Sequence, residues 1–287
     1  MTITNVVEIE TPKKVLLNGL WFGSKKPKRV VIWVHGLGSS AFSKLGIIEN
    51  LIDRKTAALT FNNRGHDTVS RTRSAKGKGT YGGAAFERFE DCVDDIQGTV
   101  NFARKSGAKE IYVAGHSTGC QKAAYWAYKK GKGAKGIILL APISDYASVI
   151  MKYGLPKIRY MQAQAKAMLK SGRENEFVRA KFWDDAPATP HRFLSLYTPD
   201  SVEQSIFSYF EPARRAKVLS ALRLPMLVIL GEKDEYGDRP AQEIVQWFES
   251  HSHATLKSLI AKEAGHSFSG HEVPIARAIK SWIVNKQ

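Results

Sequence analysis

Residues 111–127, IYVAGHSTGCQKAAYWA, decide the fold of this chain. Ile111 to Ala114 have the composition of a short buried strand, and the stretch from Cys120 onward predicts a helix. Between them stands Gly-x-Ser-x-Gly, centred on Ser117, which is typical of a sharp strand-to-helix turn that exposes a serine hydroxyl. Its glycines let the two backbones pass closely, and the helix N-terminus offers N–H groups to an oxyanion. The stretch therefore predicts a nucleophilic serine.

Around this turn, apolar runs of strand length alternate with helical patterns. Because strands alternate with helices, we expect an α/β fold with a mostly parallel central sheet of about eight strands and helices on both faces. The predicted strands cover residues 6–10, 14–22, 29–34, 56–62, 111–114, 136–142, 225–231 and 255–260. A long helix follows residue 83, because apolar residues recur there at three- and four-residue steps. Further helices are predicted over residues 43–52, 239–250 and 273–285.

The long stretch between Pro142 and Pro225 has no clear strand pattern and exceeds the length of a plain loop. We interpret residues 146–218 as a helical lid inserted into a core made of residues 1–145 and 219–287. We expect aromatic and methionine side chains within this stretch to supply the apolar underside of the lid. Helices are predicted there over residues 157–170, 174–182 and 201–209.

A serine hydroxyl is a weak nucleophile near neutral pH, so it needs a general base that is itself oriented by a carboxylate. His266 is the predicted base, because it follows the last predicted strand and precedes the final helix. The other histidines close or open helices, lie in the lid or adjoin other turns. The six rivals weighed against His266 in this way are His35, His116, His191, His251, His253 and His271.

The orienting acid is expected at the end of the preceding strand. Asp234 is our prediction, because a loop three residues beyond Gly231 can turn toward the histidine. Its neighbours Glu232, Glu235 and Asp238 remain alternatives at this point. The chain order is then serine, acid, histidine. The acidic residues of the long helix, Asp94 and Asp95, are expected on its solvated face.

An oxyanion hole requires two converging N–H donors. The first is expected at Thr118, directly after the nucleophile. The second is expected at Leu37, in the turn between Gly36 and Gly38, since glycines suit a backbone that must approach a substrate closely.

Four segments carry a family resemblance: HGLG at 35–38, NNRGHDTVS at 62–70, GEKDEY at 231–236 and AGHSF at 264–268, together with GHSTG. They resemble the α/β-hydrolase superfamily, in its lidded serine esterase and lipase branch, over nearly the whole chain. The motif order is also similar to siderophore esterases and, less closely, to feruloyl esterases. His66 and Asp67 depart from the family turn R-G-x-G-x-S. The resemblance implies hydrolysis of carboxylic esters without a cofactor.

The chain has 43 Lys and Arg against 27 Asp and Glu, which gives a formal net charge of +16. Its densest basic clusters, at 25–29 and 71–78, are not part of a nucleic-acid-binding motif. A basic, well-solvated surface is the simplest interpretation, beside an anionic substrate, an anionic surface or incidental polynucleotide binding. Two segments, at 77–82 and 131–136, match G-x-G-x-x-G. A dinucleotide-binding motif must follow a strand and begin a helix, and neither segment does so. We therefore expect no dinucleotide binding.

The N-terminal residues have no secretory-signal pattern, and the apolar runs are too short for a membrane span. Cys92 and Cys120 show no metal-ligand spacing and suit a reducing compartment. We therefore expect a cytoplasmic protein without metal or other cofactor.

These observations predict a serine hydrolase that cleaves a small carboxylic ester, aromatic or anionic, through an acyl-enzyme intermediate. Two alternatives stay open: an amide or thioester hydrolase with the same residues, and a non-catalytic protein on a hydrolase fold that binds an anionic partner.

Overall fold

The computed structural model describes residues 4–211 and 213–284. Nine of the described strands form one sheet, and two short strands pair separately. In chain order, the strands are β1 Thr4–Glu10, β2 Val15–Phe22, β3 Arg29–Val34, β4 Thr56–Phe61, β5 Ser70–Arg71, β6 Arg73–Ser74, β7 Tyr81–Gly82, β8 Glu110–His116, β9 Gly136–Leu140, β10 Met226–Gly231 and β11 Leu256–Ala261.

Eight strands of the main sheet lie side by side in the order β1-β2-β4-β3-β8-β9-β10-β11, and β6 pairs with β2. The pairs β1–β2 and β2–β4 are antiparallel. The other neighbours in this order are parallel. The prediction of a mostly parallel central sheet is therefore confirmed.

Helices connect parallel strands and cover both faces of the sheet, since parallel neighbours need crossover connections. A single 3₁₀ turn at Phe89–Asp91 precedes the longest helix of the sheet layers. The helices are α1 Leu45–Leu51, α2 Cys92–Lys105, α3 Thr118–Lys129, α4 Asp145–Tyr153, α5 Leu155–Lys170, α6 Pro190–Tyr197, α7 Lys217–Ala221, α8 Ala241–His251 and α9 Glu272–Val284.

The central strand β3 is apolar after its first residue, Arg29, and the packing on its two faces explains why. Alternate side chains of a strand point to opposite faces of the sheet. Val30, Ile32 and Val34 pack on the face covered by α2, α3 and α8. Val31 and Trp33 pack on the face covered by α1 and α9. Because both faces are buried, the strand has no polar side.

Helices α4, α5 and α6, between β9 and β10, pack around an apolar cluster of their own, here called the insertion cluster. Leu37, from the loop after β3, packs against it. Its buried members are Val149, Ile158, Met161, Ala165, Met168, Val178, Ala188, Phe193, Leu196 and Tyr197.

Two of the three helices predicted within this insertion are wrong. α5 agrees with the helix predicted over 157–170, but residues 174–182 and 201–209 form turns and irregular backbone. In the first segment, the N–H of Val178 donates to the carbonyl of Ala188 at 2.9 Å, which takes it out of any helical ladder. In the first segment, a contact to a residue outside the predicted helix therefore overrides local helix propensity.

Helices α4 and α6 were not predicted, although each has a recognisable start. The Ser144 hydroxyl accepts a hydrogen bond from the N–H of Ala147 at 3.2 Å and caps α4. Pro190 begins α6 directly after Thr189, a position at which proline is favoured because its missing N–H is not needed.

The expectation that Asp94 and Asp95 face solvent is also wrong. Both are buried and point toward Arg64, from the loop after β4. Nη2 of Arg64 lies 2.8 Å from Oδ2 of Asp94, and Nε of Arg64 lies 2.7 Å from Oδ1 of Asp95. Burial raises the pKa of Asp95 to about 6, against the opposing charge of Arg64. A carboxylate on a helix surface can be buried when a loop brings it a cation.

Candidate active site

Ser117 occupies the turn between β8 and α3 with φ 55° and ψ −129°, a conformation rare for residues other than glycine. Its N–H donates to the carbonyl of Leu140 at 2.9 Å. A Cβ added at Gly115 would lie 2.2 Å from the carbonyl oxygen of Gly119. One added at Gly119 would lie 2.2 Å from that of Val34. Both glycines are therefore required by close backbone approach, as the motif predicts.

His266 and Asp234 lie side by side at the carboxyl edge of the sheet. Nδ1 of His266 is 2.8 Å from Oδ2 and 3.0 Å from Oδ1 of Asp234. Both side chains are almost fully buried, at 9% and 6% exposure. Since a carboxylate can only accept, Nδ1 carries the proton and Nε2 of the neutral ring is left as a base.

Residues 262–271, here called the histidine loop, contain His266 and contact the turn at Ser117. The contact is made through His116, the residue before Ser117. Nε2 of His116 donates to the carbonyl oxygen of His266 at 2.9 Å, and the two rings are 5.0 Å apart. Burial, followed by the nearby His266, lowers the pKa of His116 to about 3, so its ring is neutral. In the part of the chain that the structure describes, the Ser117 hydroxyl makes no hydrogen bond with His266. Such bonds often shorten only when substrate binds.

The turn after β3 approaches the serine from the other side. A Cβ added at Gly36 would lie 2.9 Å from Cβ and 3.5 Å from Oγ of Ser117. Leu37 follows directly and is half-buried. Thr118 is the first residue of α3, where N–H groups have no acceptor within the helix. The residues predicted to supply the two oxyanion donors thus flank Ser117.

The alternative acids occupy different places in the same loop. Glu235 accepts a hydrogen bond from the backbone N–H of His266, and Glu232 accepts one from the N–H of Glu263, each at 2.9 Å. Asp238 pairs with Arg239. Among these carboxylates, Asp234 is the one hydrogen-bonded to the His266 ring within the described residues.

The alternative histidines have other contacts. His35 is buried beside Gly36, and burial lowers its pKa to about 3. His251 contacts the carbonyl of Trp247 within its own helix. His271 contacts the carbonyl of Ser269.

Residues 64–67 depart in sequence from the family turn R-G-x-G-x-S, but the backbone at Asp67 still has a conformation that favours glycine. Asp67 has φ 57°, the left-handed conformation that its counterpart glycine would adopt. Its N–H donates to the carbonyl of Ser39 at 2.8 Å, and its carbonyl accepts from the N–H of Ala84 at 2.8 Å. The turn therefore buttresses the loop that contains Gly36 and Leu37.

Sequence reasoning missed a buried ion network formed by Glu87, Lys122, Arg192 and Glu203. Nζ of Lys122 lies 2.5 Å from Glu87, and Nη2 of Arg192 lies 2.9 Å from the other oxygen of Glu87. Nη1 of Arg192 donates to Glu203 at 2.5 Å. All four side chains are at least nine-tenths buried, and their charges sum to zero. The network joins helix α3, which follows Ser117, to the insertion. In the sequence, the feature that indicates this network is Lys122, a lysine among apolar positions of α3.

Asp145, at the start of α4, is a further titratable group near the site. Burial next to Glu203 raises its pKa to about 7, and Arg192 opposes that rise. Its Oδ2 accepts a hydrogen bond from Nε2 of Gln204 at 3.4 Å. The group is also close enough to His266 to interact with it electrostatically.

Neither metal nor membrane features stand out in the described ranges. No group of three or more His, Cys, Asp or Glu side chains within residues 4–211 and 213–284 is arranged to hold a metal ion. None of the helices over the same ranges is long and apolar enough to cross a membrane.

Comparison with known proteins places the chain in a family and a fold. A family model described as a protein of unknown function (DUF1749) matches residues 21–286, and the chain belongs to this family. No curated protein matches the sequence.

Three solved structures are similar over nearly their whole length. Est1E from Butyrivibrio proteoclasticus, bound to ferulic acid, has a TM-score of 0.66 at 18% identity and covers 98% of each chain. DcsB, in complex with a substrate analogue, has a TM-score of 0.71 at 15% identity and covers 98% of each chain. A carboxyl esterase from Bacillus coagulans, in complex with glycerol, has a TM-score of 0.66 at 14% identity and covers 99% of each chain. The expected α/β-hydrolase fold is thereby confirmed.

Proposed function

We propose that the chain is a serine hydrolase that cleaves carboxylic esters through an acyl-enzyme intermediate. Ser117 is the nucleophile, His266 the general base and Asp234 the residue that orients it. The observation that carries the proposal is the buried Asp234–His266 pair beside a strained strand-to-helix serine. A fold hosts many functions, so the argument depends on these residues and their geometry.

In the proposed reaction, Asp234 accepts a hydrogen bond from the Nδ1–H group of His266, and Nε2 of the same ring is free to take the proton of the Ser117 hydroxyl. The serine oxygen attacks the ester carbonyl, and the N–H groups of Leu37 and Thr118 stabilise the oxyanion. Collapse of this intermediate breaks the bond to the alcohol, which leaves with the proton from Nε2. Water, deprotonated by the same nitrogen, then releases the acid and regenerates Ser117.

We also propose that residues 146–218 act as a lid over this site, inserted into a core of residues 1–145 and 219–287. The contact between Leu37 and the insertion cluster supports this, because it joins the oxyanion turn to the insertion. Half-buried aromatic rings at the cluster margin, among them Tyr146, Tyr153 and Trp183, provide a surface for an acyl or aryl group.

Esters of aromatic acids are the first substrates to test. The Est1E structure holds ferulic acid, and the net charge of +16 favours an anionic ester. The same mechanism serves amides and thioesters, so matched substrates with these three linkages would rank the leaving groups. The proposed chemistry requires no metal or other cofactor. The two buried free thiols are consistent with the proposed cytoplasmic location.

The decisive variant is Ser117→Ala. We expect turnover of p-nitrophenyl acetate and butyrate to fall by about 10⁴-fold or more, because the nucleophile is lost while binding is retained. Ser269→Ala, at an exposed serine of the histidine loop, is the matched control and should leave the rate unchanged. A fluorophosphonate should label the native chain and not the Ser117→Ala variant. Retained turnover in that variant, or labelling elsewhere, would reject the assignment.

A further inference from the structure

Three carboxylates of the loop after β10 hold the histidine loop at three different points. Glu232 accepts from the N–H of Glu263, Asp234 contacts the imidazole of His266, and Glu235 accepts from the N–H of His266 at 2.9 Å. Glu232 and Glu235 make the same kind of contact, in which a carboxylate accepts from a backbone N–H. Of these two, Glu235 is the one that accepts from the N–H of His266.

The backbone of His266 is held by side chains on both sides. Its N–H donates to Glu235 and its carbonyl accepts from Nε2 of His116. Residues 262–271 belong to no helix or strand, so no secondary-structure ladder replaces these two contacts. The Asp234 carboxylate can orient the ring, but the position of the ring also depends on where the backbone is held.

The Glu235 carboxylate fits closely over the histidine loop. A Cβ added at Gly265 would lie 3.0 Å from Oε2 of Glu235, so the carboxylate occupies the space that a side chain there would need. Partial burial is the largest single influence and raises the pKa of Glu235, but the backbone N–H groups of His266 and Glu235, together with nearby positive charge, lower that pKa overall. The group is therefore an anion that accepts a charge-assisted hydrogen bond.

We infer that Glu235 is a positioning residue, which holds the His266 backbone so that the imidazole stands between Asp234 and Ser117. This inference rests on the proposed function. Glu235 does not touch the reacting atoms; it acts through the N–H of His266, and its negative charge additionally favours the protonated imidazole.

The His266 ring is surrounded by charged and titratable groups from several elements. Tyr236 contacts the ring edge-on at 4.8 Å, and Nζ of Lys44 donates to the carbonyl of Ser267 at 3.0 Å. Within residues 4–211 and 213–284, these groups are Asp234, Glu235, Tyr236, His116, Lys44 and Asp145. Removing the Glu235 charge alone should let the base lose its proton at lower pH.

The test compares Glu235→Ala and Glu235→Gln with Glu232→Ala, the matched control. Glu235→Ala should lower kcat about 10-fold with little change in KM, because the base is displaced and substrate binding is not. Glu235→Gln should recover most of kcat, since its amide oxygen still accepts the N–H. In both Glu235 variants the acidic limb of the kcat/KM profile should move down by about 0.5 pH unit. Glu232→Ala should change neither kcat nor the position of the acidic limb.

Amide hydrogen exchange at His266 provides a readout that does not require activity. Exchange should accelerate in Glu235→Ala and stay slow in Glu235→Gln and Glu232→Ala, with thermal melting reporting whether each variant is folded. Equal kcat values for Glu235→Ala and Glu232→Ala, or an unmoved acidic limb, would overturn the inference. An unchanged rate of amide hydrogen exchange at His266 in Glu235→Ala would also overturn the inference. If the native chain shows no Ser117-dependent turnover, the proposed function fails, and the exchange measurement still decides whether Glu235 holds the histidine.

Discussion

Replacing Arg192 by methionine should be among the most damaging single changes in the insertion. The guanidinium is fully buried and contacts two carboxylates, Glu203 at 2.5 Å and Glu87 at 2.9 Å. Methionine fills similar volume but carries no charge. Glu87 would keep its contact with Lys122, whereas among the described residues the Glu203 carboxylate would keep only its contact with the Ser195 hydroxyl, at 2.8 Å. One buried carboxylate would be left without a cation.

The expected loss is about 3–5 kcal/mol in the free energy of unfolding, the usual cost of removing one partner from a buried ion pair. At roughly 2–4 °C per kcal/mol for chains of this size, the melting temperature should fall by about 10 °C. Adding Glu203→Gln to Arg192→Met removes the stranded charge while the amide keeps its contact with Ser195. The double variant should therefore regain at least about 2 kcal/mol.

The measurement is urea unfolding of the native chain, both single variants and the double variant, followed by circular dichroism. Arg73→Met is the control, because Arg73 pairs with Glu8 on the exposed surface and its loss should cost at most about 1 kcal/mol. Additive losses in the Arg192–Glu203 cycle would refute the reasoning, as would an Arg192→Met variant as stable as the control.

Two further predictions concern the serine turn. Gly36→Ala should lower kcat/KM of p-nitrophenyl ester hydrolysis by about 10²-fold with the fold retained, because the added Cβ would lie 2.9 Å from Cβ of Ser117. Gly77→Ala has no atom within 4 Å of the added Cβ and is the control; equal values for the two variants would contradict this. Burial and the neighbouring His266 lower the pKa of His116 from 6.5 to about 3, so its contribution to stability is fully present above pH 6.5 and is lost as the pH falls. Between pH 7.5 and 5.5 the unfolding free energy of the native chain should drop by about 1.4 kcal/mol relative to His116→Asn in urea titrations, and a constant difference would count against the buried neutral ring.

Much of the architecture follows from local sequence signals. The alternation of apolar runs and helical patterns predicted the parallel sheet and its helices, since a strand buried on both faces must be apolar throughout. The Gly-x-Ser-x-Gly turn is equally local, because the two glycines are dictated by backbone atoms only a few residues away or on the adjoining strand. The predictions of Ser117, Asp234 and His266 rest on the positions of these residues after strands, and the structure brings Asp234 and His266 into contact.

What sequence reasoning could not supply depends on contacts between distant segments. The helices predicted over 174–182 and 201–209 failed because backbone and side chains there are engaged by other parts of the insertion. The burial of Asp94 and Asp95 required Arg64 to arrive from another loop.

The roles of Asp234 and Glu235 illustrate the same limit at the site. The two carboxylates are adjacent in sequence, and from sequence Glu235 stays an alternative to the predicted Asp234 as the partner of His266. In the folded chain, one contacts the ring and the other the backbone N–H. Local composition determines which elements form, because strand and helix periodicity act over a few residues. Which charges meet, and which are buried, is decided only when those elements pack.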